Sequence, residues 1–114
     1  MTVKPKILPD HANDALKLMI KLTEKLMFAM DDESRALLNK DAGAFSAAEK
    51  GKLEIIENYE RAAEEFHSRF DEFRRIGDKS LIIKLQNMHT ELREVAGSNV
   101  TLLKIFAERE NTET

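Results

Sequence analysis

The stretch LIIKLQNMHTELREVAGSNVTLLKIFA, residues 81–107, decides the fold of this chain. Every third or fourth position in it belongs to one stripe: Leu81, Leu85, Met88, Leu92, Val95, Asn99, Leu102 and Phe106. Steps of three and four place side chains on one face of a helix, where they meet a partner helix. Seven of these eight residues are apolar and the eighth is Asn99. The pattern predicts a long helix within a helical bundle.

Two further helices are predicted upstream of this one. Helix one covers residues 10–40, with Asp10 as its N-cap, and its apolar positions span about 200° of the helical wheel. An arc of that width is enough to contact two neighbouring helices. Helix two covers residues 42–76, with Asp41 as a cap before it and Gly77 ending it. Its stripe spans only about 120° and consists of Ile56, Tyr59, Ala63, Phe66, Phe70 and Phe73.

We therefore predict an all-α fold of one domain, in which three long antiparallel helices form an elongated coiled-coil-like bundle. The helices are expected over residues 10–40, 42–76 and 78–109, the third capped by Asp78. Residues 1–9, which contain Pro5 and Pro9, are expected to form an extended tail. Residues 111–114 are expected to fray. Glu65 and Arg69 stand four residues apart on helix two and are expected to form an ion pair.

Composition excludes several classes of function. The chain has no cysteine, so disulfides and thiolate metal sites are excluded. The net charge is −3 with both signs interspersed, which leaves no basic surface for nucleic acid or anionic lipid. The longest wholly apolar run, residues 26–30, is far shorter than the roughly 20 residues of a membrane span. A cytoplasmic location without membrane insertion is expected.

One spacing could indicate a metal site. Glu64 and His67 form Glu-x-x-His, the helical spacing of di-iron carboxylate bundles. Such sites require two of these motifs, but Gln86 stands three residues before His89. The chain also contains no activated nucleophile and no glycine-rich phosphate loop. We expect a protein that is not an enzyme and has no metal or cofactor, with a metal-binding bundle as an alternative to test.

Asn99 has two interpretations. At a stripe position it should be at least half-buried, where an unpaired amide costs about 1–3 kcal/mol. On the structural interpretation it is a satisfied core polar group or lies on a helix that has already left the bundle. On the functional interpretation it specifies register or partner, as buried asparagines do in coiled coils. On the last interpretation, Asn99→Leu should stabilise the fold and loosen the choice of partner.

The segment that follows carries more apolar surface than a three-helix bundle can bury. Its apolar residues spread over about 220° of the wheel and are Val100, Leu102, Leu103, Ile105, Phe106 and Ala107. Gly97 and Ser98 just before them form a recognised bend site in helices. Either a second copy of the chain covers this end, or it is the docking surface for a partner helix.

Helix one adds further candidates for partner binding. Methionine fills irregular cores and also lines adaptable helix-binding surfaces, so Met19 and Met27 have both interpretations. Phe28 lies on the polar side of the same helix. The candidate partner-binding residues are therefore Asn99, Val100, Leu102, Leu103, Phe106, Met19, Met27 and Phe28.

The first hairpin resembles the FlgN-type flagellar export chaperones. The matching residues are Glu33-Ser-Arg-Ala-Leu37, Asp41, Ala44-Phe45, Ala48-Glu49-Lys50 and Leu53. Asn99 ahead of Leu102 and Leu103 is similar to an element of the third helix in that family. The resemblance covers roughly residues 16–107, with Gly51 at a position where a helix-former would be expected.

The resemblance implies a cytosolic, non-enzymatic protein. It would bind the helical C-terminal segments of flagellar hook-associated proteins, which form the hook–filament junction, and deliver them to the type III export apparatus. Binding would be of the helix-in-groove kind, in which the client completes a bundle that the chaperone leaves open. The alternative is a self-associating coiled-coil adaptor or structural protein, in which a second copy buries the surplus apolar arc.

Overall fold

The computed structural model of the chain describes residues 6–112, with side chains for residues 6–105. Within those residues there is no strand, and the helices are α1 (Ala12–Leu38), α2 (Ala42–Ser68), α3 (Phe70–Ile76) and α4 (Lys79–Thr112). The all-α prediction is confirmed. The prediction of three long helices is wrong in one respect, because the second helix is divided at Arg69. Residues 1–5 of the tail predicted over residues 1–9, and residues 113–114 of the end predicted to fray over residues 111–114, lie outside the described residues. The prediction of fraying is wrong for residues 111–112, which belong to α4.

The centre of the fold is α1, which lies between α2 and α4. In the described part of the chain no Cα atom of α2 comes within 8 Å of a Cα atom of α4. The Cα atoms span 57 × 36 × 17 Å, so the three long helices form a flat layer. The wide apolar arc of the first helix predicted two neighbouring helices, and α1 packs against both α2 and α4. The narrower stripe of α2 is consistent with packing against α1 alone among the long helices.

The direction of the helices follows from contacts at the two ends of α1. Near its start, Asn13 Oδ1 accepts a hydrogen bond from the backbone N–H of Asp78, at 2.8 Å. Near its end, Asn99 Nδ2 donates to the carbonyl oxygen of Met30, at 3.0 Å. Consecutive long helices are therefore antiparallel, whereas α1 and α4 run parallel. Bonded partners on α1 and α4 differ by 65 to 69 in residue number at both ends, so one register holds along the whole contact.

The core is built from one face of each element. Leu16 and Met19 on α1, Ala62 on α2 and Phe73 on α3 are at most 1% exposed. Phe66 stacks on Phe73 with ring centroids 5.0 Å apart. Leu85, Met88 and Leu92 of the predicted α4 stripe are also buried. Phe70, the first residue after the division in the second helix, is 45% exposed and contributes less to the core than its place in the stripe predicted.

Helix boundaries follow the predicted caps in most places. Asp41 Oδ1 accepts a hydrogen bond from the backbone N–H of Ala44, at 3.0 Å, and α2 begins directly after it. Asp78 Oδ1 accepts from the N–H of Ser80 at 2.8 Å, one residue into α4. The prediction for Asp10 is wrong, because the N-cap of α1 is His11, whose side chain makes no capping bond. In the turn between α1 and α2 the left-handed residue is Lys40, with φ 55°.

Gly77 follows the last residue of α3, and the packing around it leaves no room for a side chain. A Cβ atom at this position would lie 2.4 Å from the carbonyl oxygen of Phe73 and 2.9 Å from Leu16 Cδ1. Its φ of −74° is open to any residue, so close packing and not backbone freedom requires the glycine. By contrast, a Cβ on Gly51 or Gly97 would have no atom within 4 Å. The helix α4 continues without interruption through Gly97 and Ser98.

Residues 6–11 contain no helix and are held against the bundle. The side chain of Leu8 is 2% exposed and belongs to the core cluster with Leu16 and Phe73. The described part of the predicted N-terminal tail is therefore a docked segment. Among residues 6–112, no helix is both long enough and apolar enough to cross a membrane.

Candidate functional site

The space between α2 and α4, above the C-terminal half of α1, forms a groove that we call the inner groove. Its volume is about 240 Å³. Its lining residues are Met30, Glu33, Phe45, Glu49, Lys52, Ala96, Asn99, Val100 and Leu103. The groove exists because α2 and α4 both pack on α1 and do not approach each other. Val100 and Leu103 on its α4 wall are 56% and 43% exposed, so the surplus apolar surface predicted for this end of α4 is present.

The floor of the inner groove is polar. The carboxylate of Glu33 is only 5% exposed and accepts from Lys52 Nζ at 2.6 Å. Its other oxygen accepts from Asn99 Nδ2 at 3.0 Å. Asn99 Oδ1 accepts from the hydroxyl of Ser34, which completes the set. These four residues, Glu33, Ser34, Lys52 and Asn99, are called the polar floor below, and they join α1, α2 and α4.

The polar floor decides between the interpretations of Asn99. The residue is 5% exposed, so α4 has not left the bundle at this point. Its amide donates to Met30 and Glu33 and its oxygen accepts from Ser34, so its hydrogen bonds are made within the fold. No buried side-chain nitrogen or oxygen among the described residues lacks a partner. We therefore expect Asn99→Leu to destabilise the fold, the reverse of the expectation from the sequence, because the buried carboxylate of Glu33 and the hydroxyl of Ser34 would each lose one hydrogen-bond partner.

A second groove lies on the other side of the contact between α1 and α4, and we call it the outer groove. Its volume is about 570 Å³. Its lining residues are Glu24, Met27, Phe28, Asp31, Lys84, Met88, Glu91 and Val95. Phe28 is 71% exposed, as its place on the polar side of the predicted helix indicated. Met27 is half-buried beside it.

The candidate residues on α4 fall on two faces. At about 100° per residue, Leu103 and Val100 lie some 40° and 100° from Asn99 on the side of α2. Leu102 and Ile105 lie about 60° and 120° from Asn99 on the opposite side, continuing the direction of Val95. Leu102 is half-buried and Ile105 is 46% exposed. The apolar residues at this end of α4 therefore lie on two faces, and Val100 and Leu103 line the inner groove. In the sequence they were treated as a single surface.

Two candidates cannot be placed at a surface. Met19 is fully buried in the core cluster, where it fills space and is unavailable to a partner in this conformation. The backbone of Phe106 belongs to α4, but its side chain lies outside the described residues. Of the two interpretations of methionine, core filling is correct for Met19, whereas Met27 and Met88 line the outer groove.

The sequence did not predict the contacts that hold residues 6–11, which we call the N-terminal clasp. The carboxylate of Glu65 accepts from the backbone N–H groups of Ile7 and Leu8, at 2.9 and 3.0 Å. The guanidinium of Arg69 donates to the carbonyl oxygens of Pro9 and Asp10, both at 2.7 Å. The apolar pair at residues 7–8, next to a proline, was the available signal that this segment would dock.

The second helix is divided at Arg69, a residue of the clasp. Arg69 has φ −108° and ψ 14°, which is outside the helical region. Its side chain pairs with Glu72 at 2.9 Å and lies 4.8 Å from the centre of the Phe73 ring. The hydrogen bond to Glu72 is the main cause that raises the pKa of Arg69 and lowers that of Glu72. The predicted pair between Glu65 and Arg69 is replaced by these contacts.

Tyr59 and His89 bridge α2 and α4 where the backbones are apart. Tyr59 Oη and His89 Nε2 are 2.9 Å apart, and the rings meet edge to face with centroids 6.2 Å apart. Burial raises the pKa of Tyr59 above its ordinary value of 10.0. Burial, with the positive charge of Arg93 added to it, lowers the pKa of His89 below its ordinary value of 6.5. Both groups are thereby kept neutral at physiological pH.

The Glu-x-x-His spacing does not assemble a metal centre in the described residues. Glu64 and His67 are both exposed on α2. No group of three histidine, aspartate or glutamate side chains among those residues is arranged to hold a metal ion.

Comparison of the chain with protein-family models, with curated proteins and with solved structures gives no match.

Proposed function

We propose that this chain is an export chaperone of the FlgN type, which binds helical C-terminal segments of flagellar hook-associated proteins and delivers them to the type III export apparatus. The observation that carries the proposal is where the residues of the resemblance lie. Glu33, Phe45, Glu49 and Asn99 come from three separate stretches of sequence, and all four line the inner groove. Four residues of the resemblance thus line one groove, which supports the assignment of this groove as the client-binding surface.

The mechanism is the insertion of a client helix between α2 and α4. Phe45 is half-buried on one wall, and Val100 and Leu103 are exposed on the other. Apolar client residues at positions i, i+3, i+4 and i+7 would contact both walls and bury surface that the chaperone alone leaves in water. The client would lie on one face of the three-helix layer, above α1.

The polar floor gives this groove a role in selecting the client. Glu33 and Lys52 are paired and Asn99 is fully hydrogen-bonded, so the floor does not need a client to satisfy it. An apolar residue placed directly on the floor would bury these polar groups further without a new partner, which is unfavourable. The client helix is therefore expected to rest on the walls and to present a small or polar residue at the level of Asn99.

A self-associating adaptor is the second candidate. It is favoured by the two faces of α4, because a client in the inner groove would leave Ile105 uncovered on the opposite side. In that case a second copy of the chain would bury Ile105 and its neighbours, and no client would be needed.

Calorimetric titration with synthetic C-terminal segments of hook-associated proteins tests the proposal. The variant Val100→Asp/Leu103→Asp should abolish binding, because it places two charges on the α4 wall. The matched control is Ile83→Asp, which changes an equally exposed apolar residue (56%) at the other end of the same helix. The control should bind as the unchanged chain does, and circular dichroism should show the same helix content in all three proteins. Equal binding by all three, or no binding by the unchanged chain, would contradict the proposal.

A further inference from the structure

The outer groove has an apolar floor and two unpaired carboxylates on its rims. Met27, Met88 and Val95 lie along the floor, and the exposed ring of Phe28 stands at its edge. Glu24 on α1 and Glu91 on α4 line the groove and are exposed. Neither has an ion-pair or hydrogen-bond partner among the described residues.

These two carboxylates, one on each helix, lie at about the same level of the groove. Hydrogen-bonded partners on α1 and α4 differ by 65 to 69 in residue number, so Glu91 lies within about one turn of Glu24 along the helix axes. The third acid of the groove, Asp31, is paired with Arg35 at 2.5 Å and is neutralised there. Lys84, the one base in the lining, comes from α4 two turns before Glu91.

We propose that the outer groove binds an amphipathic helix of another protein whose apolar stripe is flanked on both sides by lysine or arginine. The stripe would cover Met27, Met88 and Val95, and the flanking bases would pair with Glu24 and Glu91. The inference does not rest on the proposed chaperone function, because the outer groove and the inner groove lie on opposite sides of the contact between α1 and α4.

The same charges disfavour a second copy of the chain as the occupant. A two-fold interface places the same surface on both sides of the axis. An antiparallel copy seated in the middle of the groove would bring two copies each of Glu24 and Glu91 together without a base between them. Like charges in such an arrangement oppose association.

The test uses a fluorescently labelled model peptide of about 18 residues, or five helical turns. Its leucines occupy one stripe and its lysines flank them, and a control peptide has the same stripe with glutamates in place of the lysines. Fluorescence anisotropy at low salt should show that the lysine peptide binds at least about tenfold more tightly than the glutamate peptide. The difference should shrink when salt screens the rim charges.

Two double variants with the same change in net charge test whether the peptide binds in the outer groove. Glu24→Lys/Glu91→Lys should reverse the preference between the peptides. Glu54→Lys/Glu60→Lys, which changes two exposed acids on α2, should leave the preference as it was. Val100→Asp/Leu103→Asp should also leave it unchanged, which separates this site from the inner groove.

Three results of the peptide measurements would overturn the inference. These are equal affinity for both peptides, reversal of the preference in the α2 variant as well, or loss of lysine-peptide binding in Val100→Asp/Leu103→Asp. Dimerisation of the unchanged chain that Phe28→Glu abolishes would also overturn it, since a second copy would then occupy the groove.

Discussion

Asn99 on α4 donates its side-chain amide to the buried carboxylate of Glu33 on α1, with Nδ2 and Oε1 3.0 Å apart. The same carboxylate accepts from Lys52 on α2, so one buried acid links all three long helices. The backbones of α2 and α4 do not approach each other, and this acid and the hydrogen bond between Tyr59 and His89 link the two helices through their side chains. Polar groups therefore contribute to the link between the two walls of the inner groove.

Asn99→Leu should lower the free energy of unfolding by about 1–3 kcal/mol, because Glu33 and Ser34 lose a buried partner that leucine cannot replace. Urea denaturation followed by circular dichroism measures the change. Asn87→Leu, at an exposed position of the same helix, is the control and should have little effect. Unchanged or increased stability of Asn99→Leu would show that the amide is dispensable.

Glu65→Gln should release the N-terminal clasp. An amide offers one acceptor oxygen where the carboxylate offers two, so the N–H of Ile7 or Leu8 is left without its partner. Trypsin should then cleave after Lys6 faster than in the unchanged chain, because the backbone there detaches more often. Glu64→Gln, at the exposed neighbouring position, should leave the cleavage rate as it is. The same rate in both variants would show that Glu65 does not hold the segment.

Substitution of glycine by alanine should have opposite effects at two positions. Gly77→Ala should be destabilising, because its methyl group would meet the carbonyl oxygen of Phe73 at 2.4 Å. Gly51→Ala should stabilise the fold by about 0.5–1 kcal/mol, because α2 has open space there and alanine favours the helix. Thermal unfolding of the two variants measures both changes in stability, the decrease in Gly77→Ala and the increase in Gly51→Ala. A stable Gly77→Ala protein would contradict the close packing at the end of α3.

Stability should fall as the pH is lowered from about 7.5 to 5.5. The folded state holds the pKa of His89 below its unfolded value of 6.5, so the unfolded chain binds more protons in this range. The contribution of His89 to the free energy of unfolding is complete above pH 6.5 and is lost as the pH falls through the pKa of His89 in the folded state. Urea midpoints should show a smaller dependence on pH in His89→Gln than in the exposed-site control His67→Gln. Equal dependence in both would exclude His89 as the cause.

Local sequence was sufficient for much of the fold. Asp41 indicated the start of α2, because the side chain of an N-cap residue bonds to a backbone N–H only three positions later. The width of the apolar arc of α1 indicated two neighbouring helices. The division at Arg69 was missed because no glycine or proline stands there. Arg69 donates to the carbonyl oxygens of Pro9 and Asp10, about 60 positions earlier in the chain, and no local pattern reports such contacts.

The sequence predicted only part of the candidate site, because some of its contacts join residues that are far apart in the chain. The apolar excess of Val100 and Leu103 is a property of one helix and was visible in its periodicity. The pairing of Glu33 with Lys52 joins two helices, and neither residue differs locally from the many solvated charges around it. Met19 was kept as a candidate for partner binding as well as for core filling, because residue type alone does not separate a buried methionine from an exposed one.

Light scattering on the chain after size-exclusion chromatography, alone and with the C-terminal segment of a hook-associated protein, tests the central claim most directly. The claim is that the inner groove is left open for a client helix. It predicts a monomer of 13.1 kDa alone and a one-to-one complex when the segment is added. A tight dimer that does not bind the segment would contradict it, because a second copy would then cover the surface assigned to the client.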